Sequence, residues 1–209
     1  MKKIAISLNF ISRNNYDETG LYLDVNFFSL FKKCDFFPIL IPYVDEPEVF
    51  LNKQKIDGIF LTGGTDLYSV SKNELSKSRD SHEKKIINFS IDKNIPLLGM
   101  CRGMQIIGEF FGGNLKRVSN EVRTRSKLTI NRDSKFYNEL NKIQTVNSFH
   151  KYALQDLNQE ILISATNQNN VIKAIEHKEL NIFGQMWHSE REKTFSSFEI
   201  KLIKKVFDQ

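Results

Sequence analysis

Only two cysteines, Cys34 and Cys101, occur among the 209 residues, far apart and in unrelated surroundings. So few cysteines exclude a small domain held together by disulfides. No apolar run reaches the length needed to cross a membrane. The apolar stretch after Met1 is short, is broken by Ser7 and Asn9, and lacks a small-residue cleavage site, so we expect a first strand rather than a signal peptide. These absences predict a cytoplasmic protein with no membrane partner.

Histidine is also scarce, and the charge is only mildly unbalanced. The chain has four histidines and a net charge of +5, with 26% charged and 40% hydrophobic residues, as is ordinary for a globular protein. We see no repeat, low-complexity tract or linker, so we expect a single domain over residues 1–209. The small positive excess gives no reason to expect a nucleic-acid partner.

Strand and helix patterns alternate along the first half of the chain. Strands are predicted at residues 3–8, 36–41, 57–61 and 97–100, and helices at 21–33, 46–53, 79–93 and 103–111, with polar loops at 12–19 and from 67 to 78. In the second half, strands are predicted at residues 127–130, 142–148, 160–165, 171–176 and 181–187, before a closing helix at 194–207. The pattern predicts an α/β fold with a doubly wound, mostly parallel sheet and extra antiparallel strands in the second half.

Cys101 lies where a buried strand gives way at once to a helix, with Gly99 and Gly103 two residues away on either side. Small neighbours are required where a chain turns this sharply, as in a nucleophile elbow. The helix N-terminus would stabilise a thiolate and offer N–H groups to an oxyanion. A buried, inert thiol is the usual alternative, but it leaves the two glycines unexplained. We therefore interpret Cys101 as a nucleophile.

A thiolate nucleophile needs a base, and the base needs an orienting partner. His188 ends an apolar strand, and Glu190 follows two residues later. In an extended chain these two side chains project to the same side, so Glu190 would hold the imidazole as the third member of a triad. We interpret His82 and His177 as solvated surface histidines.

The sequence Thr62-Gly63-Gly64 ends a predicted parallel strand, where open α/β sheets bind their ligands. The backbone N–H groups of Gly64 and Arg102 would then form an oxyanion hole. A simple tight turn is the alternative for the glycine pair.

Three segments, residues 61–64, 99–105 and 184–190, together resemble the class I glutamine amidotransferase superfamily. Within it the chain is similar to the C26-type γ-glutamyl hydrolases, on an Arg-Asp-x-x-Glu pattern at residues 79–83 and Val-Asn-Ser-x-His at 146–150. The resemblance implies a flavodoxin-like fold, no cofactor and no metal, and hydrolysis through a γ-glutamyl thioester on Cys101. It also implies that the glutamyl group is bound by Gln105, Ser148, Phe149 and His150. For His150 a structural hydrogen bond is an equal alternative.

Two features bear on the amine that is released. The family's Asp-Val-x-Pro is here Asp66-Leu67-Tyr68-Ser69, without the proline. Residues 114–127 form a predicted basic loop in which five basic side chains face one acid, Glu121: Lys116, Arg117, Arg123, Arg125 and Lys127. A solvated loop is the ordinary explanation. Because it follows the Cys101 helix, we expect Arg123 and Arg125 to contact a phosphate-bearing leaving group.

Residues 13–18 and 23–24 resemble a branch of these hydrolases associated with bacterial surface polysaccharides. That resemblance implies γ-glutamyl-CDP-amidate as the small-molecule substrate, giving glutamate and cytidine diphosphoramidate. The alternatives are a γ-glutamyl-aminobutyrate or polyamine hydrolase, a glutaminase subunit with a separate synthase partner, and a non-enzymatic binding module. A cationic polyamine suits the basic loop poorly. No oligomeric state follows from the sequence.

Overall fold

The computed structural model describes residues 1–13 and 16–208. Its strands are β1 (Lys2–Ile6), β2 (Asn9–Arg13), β3 (Glu18–Tyr22), β4 (Phe36–Leu40), β5 (Gly58–Leu61), β6 (Leu97–Met100), β7 (Asn114–Arg117), β8 (Val122–Ser126), β9 (Leu128–Ile130), β10 (Val146–Phe149), β11 (Tyr152–Gln155), β12 (Ile161–Asn167), β13 (Ile172–His177) and β14 (Ile182–Gln185). Its helices are α1 (Asn26–Cys34), α2 (Pro47–Gln54), α3 (Tyr68–Ser71), α4 (Glu74–Asp92), α5 (Arg102–Phe110), α6 (Tyr137–Leu140) and α7 (Ser197–Phe207), with a 3-10 turn at Ser189–Arg191. Within these ranges, no helix has the length and apolar character needed to cross a membrane.

Eight strands form one sheet in the order β4-β1-β5-β6-β14-β13-β12-β9. The first five run parallel to one another, and β13, β12 and β9 extend the sheet through antiparallel pairings that begin at β14. The helices pack in two groups, α1 and α6 against α7, and α2 and α5 against α4. The predicted α/β fold with extra antiparallel strands is therefore confirmed. Pro38 lies in the edge strand β4, where a missing N–H is tolerated.

The middle of the sheet is buried on both faces, since every residue of β5, β6 and β14 is buried. Continuous burial of this kind is typical of parallel strands covered by helices. Because the three strands are parallel, their carboxyl ends meet at one edge of the sheet, where α/β proteins bind ligands. Thr62, Cys101 and the chain leading to His188 follow these three ends.

Both ends of the segment predicted as a polar loop, residues 12–19, belong to paired β-strands. β2 and β3 pair antiparallel along their full lengths, and every side chain of β3 is exposed. A strand without a buried face shows no alternation of apolar and polar residues, so the sequence contains no sign of it. Residues 13–18 resemble a branch of the C26-type hydrolases, and two of them, Asn14 and Asn15, lie outside the described residues.

Two helices begin five residues away from their predicted positions, and the closing helix begins at Ser197, three residues later than predicted. The helix expected at residues 21–33 begins at Asn26, whose N–H is accepted by the Asp24 carboxylate at 2.9 Å. The helix expected from Arg79 begins five residues earlier, after Asn73, whose side chain accepts two N–H groups of the first turn. A polar N-cap, Asn73, marks the start of α4, whereas α1 has the apolar N-cap Val25 and only the preceding Asp24 accepts one of its N–H groups, so apolar periodicity alone locates neither start.

The predicted basic loop at residues 114–127 is mostly strand. β7 pairs with β11, which was not predicted, and β8 pairs with β10. Lys116 and Arg117 thus belong to one ladder, and Arg123 and Arg125 lie in the strand of another. Charged side chains occupy the exposed faces of these short strands. The apolar–polar alternation that would have predicted strands is therefore hard to see in the sequence.

Candidate active site

Cys101 occupies the turn between β6 and α5 with φ 54° and ψ −104°. A positive φ is strained for any residue with a side chain, and such strain is concentrated at functional sites. A Cβ on Gly99 would lie 2.4 Å from the carbonyl oxygen of Gly103, and a Cβ on Gly103 would lie 2.2 Å from that of Leu61. The turn therefore has room only for glycine at both positions.

His188 follows β14, the strand beside β6, and is brought next to Cys101. Its Nδ1 lies 2.6 Å from Oε1 of Glu190, and both side chains are buried. The backbone is not extended as predicted, because Ser189–Arg191 forms a 3-10 turn that returns the carboxylate to the ring. Burial lowers the pKa of His188, but the charge and hydrogen bonding of Cys101, and then of Glu190, outweigh burial and raise it to about 9. The imidazole is therefore positively charged at neutral pH, beside a sulfur able to carry the negative charge.

The glycine pair lies against these two side chains. A Cβ on Gly63 would lie 2.8 Å from Cε1 of His188 and 3.6 Å from Cβ of Cys101. Gly64 adopts φ 144°, which favours glycine. Nη2 of the buried Arg79 donates to the carbonyl oxygen of Gly63 at 3.1 Å. Arg79 thus fixes the loop in which the expected oxyanion donor Gly64 lies.

Behind the Cys101 turn lies a buried cluster of four charged side chains: Arg79, Asp80, Glu83 and Arg102. Nε of Arg79 is 2.9 Å from Oε1 of Glu83, and Arg102 pairs with both Asp80 and Glu83. Burial favours the neutral form of Glu83, but the two guanidinium charges outweigh burial and lower its pKa. The charges balance, and the cluster joins α4 to the start of α5. The residues of the Arg-Asp-x-x-Glu pattern therefore support the turn.

Two histidines interpreted as solvated are buried, so that interpretation was wrong. His82 packs with its ring centroid 5.0 Å from that of Tyr43, and burial lowers its pKa. Nδ1 of His177 accepts the backbone N–H groups of Glu179 and Leu180 at 3.1 and 3.0 Å. His82 therefore contributes to packing and His177 to a turn, and the residues around them in the sequence do not indicate that either side chain is buried.

A cavity of about 610 Å³ opens in front of Cys101. Three of the residues expected to bind substrate line it, namely Gln105, Phe149 and His150. The backbones expected to form the oxyanion hole, at Gly64 and Arg102, also border it. A cavity of this volume suits a ligand larger than a single amino acid.

Other expected substrate residues lie elsewhere. Ser148 is fully buried, and its Oγ accepts from Nζ of Lys173 at 2.6 Å. Arg125 lines a separate cavity of about 420 Å³ and donates to Glu192 at 2.7 Å. Arg123 is exposed on β8 and is absent from the described lining of the Cys101 cavity. The side chains of Ser148 and Arg125 thus make contacts other than those expected from the sequence.

The buried residue Lys173, beneath the cavity, was not predicted from the sequence as part of the site. Nζ of Lys173 donates to Oε2 of Glu121 at 2.5 Å and to Ser148, and lies 3.2 Å from Nε2 of His150. Burial, reinforced by the Lys173 charge, lowers the pKa of His150 to about 4. His150 is therefore neutral, and its Nδ1 lies 3.0 Å from the carbonyl oxygen of Tyr152. Two features of the sequence could have indicated this buried pair. Lys173 lies inside an otherwise largely apolar predicted strand, and Glu121 is the one acid in the basic segment 114–127.

Known proteins provide an independent comparison. A family model described as peptidase C26 matches residues 4–190. A γ-glutamyl-CDP-amidate hydrolase of Campylobacter jejuni is 34% identical over 200 residues, which cover 94% of each chain. One chain of the glutamine-hydrolyzing GMP synthase of Methanococcus aeolicus is 30% identical over 73% of this chain and 74% of its own length. The crystal structure of a glutamine amidotransferase from Thermotoga maritima, 17% identical, shares the fold with a TM-score of 0.66, covering 99% of this chain and 84% of its own.

Proposed function

Because the chain belongs to the peptidase C26 family, we propose that it hydrolyses γ-glutamyl amides with Cys101 as the nucleophile. The observation that carries this proposal is the buried arrangement of Cys101, His188 and Glu190, in which the imidazole is charged beside the thiol. A strained cysteine between two obligatory glycines is a costly arrangement for an inert thiol. A non-enzymatic binding module would have no use for it.

The positively charged imidazole beside the thiol supports a two-step reaction. The Cys101 thiolate attacks the γ-carbonyl carbon, and the amine departs with the proton that His188 held, leaving a γ-glutamyl thioester. The neutral His188 then takes a proton from water as that water attacks the thioester. Glutamate leaves, and the thiolate and imidazolium are restored. Glu190 holds the ring throughout, and no cofactor or metal takes part in the scheme.

The oxyanion formed in both steps would be stabilised by the backbone N–H groups of Gly64 and Arg102. Loss of one such donor typically costs about 10²–10³ in rate. Gln105, Phe149 and His150 would bind the glutamyl group from the cavity wall. The side chain of Ser148 is held by Lys173, so Ser148 would act by placing the backbone of β10.

For the leaving group we propose the nucleotide amidate, so that γ-glutamyl-CDP-amidate gives glutamate and cytidine diphosphoramidate. Three observations support this choice. The relative from Campylobacter jejuni is similar over 94% of both chains. The cavity exceeds what a single amino acid fills. Lys151 lines the cavity with an exposed ammonium group that has no ion pair within the described residues, and it suits a phosphate. A cytoplasmic location, a role in surface-polysaccharide modification and a single domain stay predictions from the sequence.

A panel of purified substrates tests the proposal: γ-glutamyl-CDP-amidate, γ-glutamyl-aminobutyrate, a γ-glutamyl polyamine and glutamine. We expect the isolated chain to release glutamate most efficiently, by kcat/KM, from the nucleotide amidate. Preference for another γ-glutamyl amide would overturn the leaving group and retain the chemistry. Glutamine hydrolysis that appears only with an added synthase would favour a glutaminase partner of a synthase, in line with the name of the relative from Methanococcus aeolicus. No hydrolysis of any γ-glutamyl amide would overturn the proposal.

A further inference from the structure

The side chain of Asn147, on β10, is buried against the backbone of His188. Its Oδ1 accepts the N–H of His188 at 2.9 Å, and its Nδ2 donates to the carbonyl oxygen of His188 at 2.8 Å. The same Nδ2 donates to Oε1 of Glu192 at 2.7 Å. Both backbone polar groups of the histidine are thus held by one amide.

The outer end of this arrangement reaches the protein surface. Oε1 of Glu192 also accepts from Nη1 of Arg125 at 2.7 Å. Arg125 lies directly opposite Asn147 in the β8–β10 ladder, and its guanidinium also donates to the carbonyl oxygen of Thr145 at 3.2 Å. We refer to Asn147, Glu192 and Arg125 as the Asn147 network.

The chemistry of the contacts fixes the orientation of the Asn147 amide. Two acceptors, the His188 carbonyl and the Glu192 carboxylate, face the NH₂ group, while a donor faces the oxygen. A rotated amide would place its oxygen against both acceptors. Glu192 therefore reinforces the one orientation that binds both polar groups of His188.

Successive residues of β10 point to opposite sides of the strand and serve different networks. Ser148 turns to the buried Lys173, whereas Asn147 turns to His188. Because Glu190 holds the ring and Asn147 holds the backbone, the imidazole is fixed at both ends. Small displacements of a catalytic group are costly, and a shift of about 1 Å can cost about 100-fold in rate.

We propose that Asn147 is a positioning residue for His188 and that Glu192 and Arg125 orient its amide. This inference rests on the proposed function, in which His188 moves the protons. It gives Arg125 a role through the histidine in place of the substrate contact expected from the sequence.

The test compares Asn147→Ala, Asn147→Asp and Glu192→Ala with Lys142→Ala, which removes a positive charge from the same surface cavity as Arg125 but lies outside the network. We expect Asn147→Ala to lower kcat by up to about 100-fold with little change in KM. Asn147→Asp should be at least as harmful, because it places a carboxylate against Glu192 and the His188 carbonyl. Glu192→Ala should lower kcat by a smaller factor, and Lys142→Ala should leave it unchanged.

The second readout needs no substrate. The rate at which iodoacetamide alkylates Cys101 is followed against pH, because this profile reports the thiolate–imidazolium pair. The inference predicts a displaced profile in Asn147→Ala and Glu192→Ala and the wild-type profile in Lys142→Ala. A wild-type profile in both network variants, with a native melting temperature, would overturn it. If Asn147→Ala fails to fold, Glu192→Ala decides. If the wild type hydrolyses no γ-glutamyl amide, the proposed function is overturned. The positioning of His188 by Asn147 is still tested in that case, because the pH profile of Cys101 alkylation needs no substrate.

Discussion

Oε1 of Glu190 lies 2.6 Å from Nδ1 of His188, and both side chains are buried at the carboxyl edge of the sheet. The contact leaves Nε2 of the ring to serve the Cys101 thiol. It also supplies a negative charge that supports the imidazolium against the cost of burial. The tautomer of His188 is thus set by a residue two positions away, which also adds to the effect of Cys101 in raising the pKa of the ring.

Replacement of Glu190 by glutamine tests this contact. The amide keeps the size of the side chain but removes the charge, so the pKa of His188 should fall from its raised value of about 9. We expect kcat to drop by about 10-fold or more, because the imidazole is less often charged and less well oriented. The measurements are steady-state kinetics and an NMR titration of His188. The surface variant Glu179→Gln is the matched control, and an unchanged His188 titration in Glu190→Gln would contradict the assignment.

Lys151→Ala tests the recognition of phosphate at the cavity wall. Loss of a charge-assisted contact should raise KM for γ-glutamyl-CDP-amidate by about 10-fold. KM for γ-glutamyl-aminobutyrate, which carries no phosphate, should stay within about 2-fold of wild type. Lys142→Ala, on another cavity, controls for the change in net charge. Equal effects of Lys151→Ala on both substrates would remove the phosphate contact from the proposal.

The buried pair of Lys173 and Glu121 makes a prediction about stability. Lys173→Met leaves the Glu121 carboxylate buried without its main partner, which typically costs about 3–5 kcal/mol in the free energy of unfolding. The double variant Lys173→Met/Glu121→Gln removes both charges and should recover a large part of that loss. Urea denaturation at neutral pH measures both variants. If the double variant has the same free energy of unfolding as Lys173→Met, the unpaired Glu121 charge is not the cause of the loss, and the prediction is wrong.

Glu199, on α7, predicts how stability depends on pH. Burial raises its pKa from 4.5 to about 7, and one of its oxygens has no hydrogen-bond partner among the described residues. The folded protein therefore keeps a proton that the unfolded chain releases between these values, so the free energy of unfolding falls as the pH rises through this window. Glu199→Gln should raise stability at pH 8 by about 1–3 kcal/mol more than at pH 5. Denaturation at the two pH values checks this, and an equal effect at both would refute the buried, protonated state.

Local patterns made part of the site predictable. The Cys101 turn is encoded by a short apolar run and two glycines within five residues, and the structure shows that neither position has space for a Cβ. Glu190 is close to His188 in sequence, so its contact could be anticipated even though the backbone path was not. The parallel sheet follows from alternating apolar strands and helices.

Contacts between distant residues could not be read from the sequence. Lys173 meets Glu121 across 52 positions, and Asn147 meets His188 across 41. No local periodicity encodes such pairs, because they exist only after the sheet has formed. For the same reason His82 and His177 were misinterpreted, since burial depends on what packs over a residue. The hairpin of β2 and β3 was missed because β3 has no buried face.

The most direct test of the central claim is an acid-quench experiment on Cys101. The protein is mixed with a γ-glutamyl amide, quenched within the first turnovers and examined by intact-mass and peptide mass spectrometry. The account predicts one glutamyl group attached to Cys101 in the wild type, and neither adduct nor turnover in a Cys101→Ala variant that folds normally. Turnover by Cys101→Ala at the wild-type rate, or a glutamyl group attached to another residue, would contradict it.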